Sequence, residues 1–120
     1  MQQPDDLMIV FSTAPSEEVA GRIAREVVSA NLAACVNILP GVLSVYKWEG
    51  IMEEANETLV MVKTTRDRIE ELTQRLLSLH PYEVPEVIAL PIETGNEKYL
   101  DWVRAMTRVE TIKGREDKKR

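Results

Sequence analysis

The sequence predicts an α+β fold, a ferredoxin-like split βαβ sandwich in which helices cover one face of a small sheet. Two observations point there. Runs of β-branched and apolar residues alternate with amphipathic runs of helical period in the order β-α-β-β-α-β-α. Turn-forming residues fall between these runs, except at Pro40-Gly41, where a strand pattern is interrupted and then resumes.

The first run, Leu7-Met8-Ile9-Val10-Phe11, is continuously apolar and reads as a buried strand entering a turn at Ser12-Thr13-Ala14-Pro15. Pro15 suits a first helical turn, Glu17 and Glu18 favour the positive end of the helix dipole, and Val19, Ile23 and Val27 form a stripe that Asn31 can close. From Ala33 to Trp48 the pattern becomes a long strand with a bend or bulge at Pro40. Glu49-Gly50 supplies a turn, and residues 57–64 return as a third strand. Asp67 and Glu70 are placed as a cap and its N3 partner for a second helix with Ile69, Leu72, Leu76 and Leu79 on one stripe, stopped by Pro81. Residues 84–92 make a fourth strand, and Asn96 caps a third helix carrying Tyr99, Leu100, Val103 and Met106.

At 120 residues the chain fits one domain, assigned here to 1–112, with the charged segment 113–120 as a flexible C-terminal tail. A hydrophobic content of 44% with 29% charged residues is that of an ordinary globular protein. The net charge of −5 argues against a nucleic-acid partner, because neutralising phosphates requires clustered Lys and Arg. No apolar run approaches the roughly 20 residues that cross a bilayer, so no membrane partner is expected. The N-terminus lacks the basic start and apolar stretch of a secretory signal, which makes a cytoplasmic location the expectation. Cys35 stands alone, which excludes an intrachain disulfide or a Cys-x-x-Cys metal motif and suggests a buried structural thiol.

The second and third strands carry apolar residues at both parities, with Val42, Tyr46 and Trp48 on one side and Leu43 and Val45 on the other. A sheet covered on one face alone should alternate more cleanly. Val42, Tyr46 and Trp48 are therefore interface candidates, burying the second face or the hairpin against other copies of the chain.

His80, the only histidine, opens the segment His80-Pro81-Tyr82-Glu83-Val84-Pro85-Glu86 at a helix-to-strand junction. Imidazole titrates near neutral pH and ligates transition metals, and the flanking prolines restrict the segment. The plainer reading is a histidine at a helix C-terminus followed by a helix-stopping proline.

Taken with Ser12-Thr13-Ala14-Pro15, Asn31-Leu32-Ala33-Ala34-Cys35-Val36-Asn37, Ile38-Leu39-Pro40-Gly41, Tyr46-Lys47-Trp48-Glu49-Gly50, Lys63-Thr64-Thr65 and Tyr99-Leu100-Asp101-Trp102, that segment resembles the CutA divalent-cation tolerance family over residues 7–106. The resemblance implies a cytoplasmic homotrimer with a PII-like architecture and a role in tolerance to divalent metals, copper above all. Copper binding in the family is attached to a cysteine at the position of Ser12 and a His-His pair at Leu79 and His80. Only His80 survives here, which implies weak binding of copper or another divalent cation at His80, with Glu83, Glu86 or neighbouring subunits completing the shell.

Two other functions compete. A PII-like sensor would hold a small anionic ligand in inter-subunit clefts, with Lys47 and Lys63 as ammonium groups, Trp48 and Tyr82 as ring faces, and Glu83 and Glu86 orienting the ligand. Each has a plainer role, since strand lysines are usually solvated and Trp48 packs well at an interface. A structural trimer without a metal function is the other. Catalysis is not expected: Cys35 lies in a strand-like run without a base, and Ser12-Thr13-Ala14-Pro15 is no nucleophile elbow.

Overall fold

Strand β1 (Leu7–Ala14), helix α1 (Glu17–Ser29), strands β2 (Cys35–Trp48) and β3 (Ile51–Thr65), helix α2 (Ile69–Leu79), strand β4 (Ile88–Pro91) and helix α3 (Glu97–Met106) follow one another in a computed structural model that describes residues 6–108. The sheet order is β2-β3-β1-β4 with every neighbouring pair antiparallel, as a split βαβ arrangement requires. The tail expected at 113–120 lies outside the described residues.

Local chemistry explains most boundaries. Ser16, not Pro15, begins α1: its Oγ accepts from the Val19 amide at 3.1 Å, and Pro15 sits just before this cap. Asn31 ends the helix at φ 61°, with its amide donating to Val28 and the Leu32 amide donating back to Val27 in a Schellman arrangement. Between Leu39 and Val42 the β2 register gains one residue over β3, and Gly41 at φ 83° takes the left-handed conformation that this bulge needs. Glu49 and Gly50, both at positive φ, form the two-residue turn, so Trp48 faces Ile51 across the hairpin.

Three expectations are corrected. β3 begins at Ile51, not at residue 57, because the tight turn returns the chain directly into pairing. Asp67 does not cap α2; its carboxylate accepts from Thr65 Oγ1 at 2.6 Å within a 3-10 turn over Arg66–Arg68, and α2 starts at Ile69 without a side-chain cap. β4 is confined to Ile88–Pro91, paired with Phe11 to Met8, because residues 82–87 are drawn into a loop.

Helices α1 and α2 pack on one sheet face through Ile23, Val27, Leu72 and Leu76 against Val10, Val60 and Val62. A smaller cluster of Leu7, Ala34 and Val103 seats α3. Asp6 ties α3 to the start of β1, receiving Arg104 Nε at 2.9 Å, and this hydrogen bond raises the guanidinium above its usual range. Among the described residues no helix covers the opposite face. By strand alternation it presents Ile9, Phe11, Leu39, Leu59, Met61, Ile88 and Leu90, of which Ile88 and Leu90 are 54% and 53% exposed. Cys35 lies on this uncovered face opposite Lys63 and is half-buried, not fully buried as expected. Beyond the bulge the hairpin is apolar on both sides: Leu43, Val45 and Met52 on one, Tyr46, Trp48 and Ile51 on the other, all exposed.

Candidate functional site

β4 pairs with β1 only as far as Phe11, leaving the next stretch of that β1 edge without a strand partner among the described residues. His80, the residue after α2, fills the gap. Its backbone amide donates to Leu76, and its ring, 8% exposed, turns to the sheet, where Nε2 donates to the Thr13 carbonyl at 2.6 Å. The Tyr82 amide donates to Nδ1 at 3.1 Å, which fixes the neutral tautomer with its proton on Nε2. The Tyr82 ring lies 4.6 Å from the imidazole, and its hydroxyl donates to Glu57 Oε2 at 2.6 Å. Burial, then the Glu57 hydrogen bond and charge, push the phenol well above its ordinary value of 10.0. A continuous set of bonds thus runs from the β1 edge through His80 and Tyr82 to the base of the hairpin.

Above that base lies a cleft of about 510 Å³ lined by Tyr46, Trp48, Glu53, Glu57, Tyr82, Glu83 and Val84. Register explains its composition. Alternation along β3 puts Glu53 and Glu57 on one side of the strand, and pairing sets Tyr46 directly across from Glu53. The post-α2 loop then contributes Tyr82, Glu83 and Val84 as the facing wall.

Of the ligand-cleft candidates, Trp48, Tyr82 and Glu83 come together there and Lys47, Lys63 and Glu86 do not. Lys47 pairs with Met52 on the opposite side of the hairpin, and Lys63 lies on the uncovered sheet face, where its ammonium donates to Asn37. Within one protomer the cleft lining carries carboxylates and, among the described residues, no Lys or Arg. Glu53 lies before the third strand as the sequence suggests it; continuing the period of two back from Glu57 to the Glu49-Gly50 turn places Glu53 opposite Tyr46 and Glu57 opposite Val42, on the same side of the hairpin as Trp48.

The positions implied for copper do not form a centre in one protomer. Ser12 is 2% exposed on the helix-facing side of β1, with no partner for its hydroxyl among the described residues, and Leu79 packs against the main core. Both His80 nitrogens are already engaged. No group of three or more His, Cys, Asp or Glu side chains among the described residues is placed to hold a metal ion.

No helix among the described residues is long and apolar enough to cross a membrane. The family model for CutA1 divalent ion tolerance protein matches residues 8–106. A divalent-cation tolerance protein CutA from Thermus thermophilus is 52% identical over 99 residues, covering 82% of this chain and 96% of that one. Protein CutA from Homo sapiens is 51% identical over 104 residues; the match covers 87% of this chain but 58% of the human protein. A solved CutA1 structure from Oryza sativa superposes with a TM-score of 0.85 at 45% identity, covering 88% of this chain and 96% of that one. With sequence and fold in agreement over the whole sandwich, the chain belongs to the CutA1 divalent ion tolerance family.

Proposed function

We propose that the protein acts in divalent-cation tolerance as a non-enzymatic homotrimer of the cytoplasm, whose subunit boundaries carry small-ligand clefts. The observation that supports this reading is the uncovered apolar sheet face continuing into a hairpin with exposed apolar residues on both sides. Such a surface exceeds what a lone protomer normally leaves in water, and closed symmetry buries it in equivalent copies. Val42, Tyr46 and Trp48 then stand at the seam, where Tyr46 and Trp48 also line the cleft.

Weak copper or other divalent-cation binding at His80 belongs to this reading on different terms from those of a preformed site. A cation there displaces either the Thr13 carbonyl or the Tyr82 amide from the ring, so it binds in competition with bonds of the fold. The function is tested by complementation: the chain should restore growth on copper-supplemented medium to a bacterium lacking its own member of the family, and Trp48→Glu should not. Equal growth with the chain and with empty vector contradicts the tolerance role.

A further inference from the structure

We infer that the hairpin cleft binds a linear organic polycation, a chain with two or more ammonium groups separated by methylene spacers. This deepens the proposal that the protein carries small-ligand clefts and rests on it.

The cleft has two kinds of surface in one cavity. The rings of Tyr46, Trp48 and Tyr82 supply apolar walls and electron-rich faces, and Glu53, Glu57 and Glu83 supply negative charge, with no cation among the described lining residues of the protomer. A volume of about 510 Å³ is in the range that takes small organic ligands. Aromatic faces beside carboxylates attract alkylammonium groups, because the ring quadrupole and the carboxylate act on the same cation while the methylenes cover the rings.

The spacing of the carboxylates separates this ligand from a metal ion. Glu53 and Glu57 lie on one side of β3 four residues apart, so their backbone positions are about 13 Å apart. Three oxygen donors do not converge, in keeping with the lack of a metal-holding cluster among the described residues. A flexible chain with a charge at each end meets both carboxylates, with its spacer passing over Ala55 and beside the rings. Tyr82 holds one oxygen of Glu57 and leaves the other for the ligand. An anion has the same sign as every charged group in the lining among the described residues and is repelled there.

Calorimetric titration of the full chain with spermidine and putrescine tests the inference, alongside magnesium chloride and ATP as arms of other chemistry. Spermidine should bind and putrescine more weakly. Glu53→Gln, an exposed position, and Glu57→Gln, which keeps an acceptor for Tyr82, should each weaken spermidine by about fivefold, while Glu53→Asp retains most of the affinity. Glu97→Gln, remote on α3, should change nothing. Binding of magnesium as tight as that of spermidine and equally lost in Glu53→Gln overturns the polycation in favour of an ion. ATP binding without spermidine binding overturns it too, yet leaves the ligand-cleft reading standing. Silence from all four compounds, on a protein shown by sedimentation to be assembled, overturns both.

Discussion

Replacing His80 by alanine separates a structural imidazole from a metal-binding one. In the structure the ring sits at 8% exposure and satisfies the Thr13 carbonyl and the Tyr82 amide. Alanine removes both bonds and leaves a carbonyl and an amide without their partner, each costing about 1–3 kcal/mol when water cannot replace it. Water entering from the cleft side relieves part of this, so a net loss of about 2–4 kcal/mol is expected. Against a usual total of about 5–15 kcal/mol, that loss is large. The assay is urea unfolding followed by tryptophan fluorescence, at one fixed protomer concentration because association contributes to stability. With a slope of about 1–3 kcal/mol per molar urea, the midpoint should fall by about 1–2 M. His80→Asn should recover little, since its shorter side chain cannot reach both partners. A midpoint unchanged within error, together with loss of copper binding, would refute the structural role and establish His80 as a ligand.

Alkaline pH should destabilise the protein through Tyr82. Its phenol is raised above 10.0 in the folded state, so its contribution is complete below pH 10 and is lost as pH rises towards the folded value; Tyr82→Phe should flatten the fall in the unfolding midpoint above pH 10. Copper titrated into the protein by calorimetry should bind weakly, and if it draws on His80 it should lower the thermal midpoint, because the unfolded chain offers an imidazole free of its ring bonds and binds the ion more tightly than the folded one; tight binding with stabilisation contradicts this. Gly50→Ala should cost about 1 kcal/mol, because φ is +83° with no atom near an added Cβ, so the loss is purely one of backbone conformation; thermal unfolding reads it. Trp48→Glu should dissociate the assembly, as shown by light scattering, and a mutant still trimeric at micromolar concentration contradicts its place at the seam.

Features written in neighbouring residues were legible in the sequence. Asn31 closes α1 and Asn96 caps α3 because each acts on backbone groups within a few residues. The bulge at Pro40-Gly41 and the turn at Glu49-Gly50 are local in the same sense, fixed by a missing amide and by positive φ. The stripe of Ile69, Leu72, Leu76 and Leu79 pointed to the core as its period demands. What sequence reasoning missed depends on distant partners. Asp67 looks like a cap until Thr65 takes its carboxylate, and residues 84–87 look like a strand until the loop is committed to the cleft wall. The site was half legible for the same reason. Tyr82, Glu83 and Trp48 were singled out by type, whereas Glu53 and Glu57 join them only through the hairpin register. Lys47 and Lys63 were placed with them by residue type, whereas in the protomer strand parity puts Lys47 on the other side of the hairpin and Lys63 lies six residues beyond Glu57 along β3.

Sedimentation equilibrium of the full chain in dilute buffer, with circular dichroism on the same samples, tests most directly whether the uncovered sheet face and hairpin are buried between copies. The expected result is a species of three protomer masses that persists through dilution, losing secondary structure only where it dissociates. A well-folded single protomer, stable on dilution, contradicts the account.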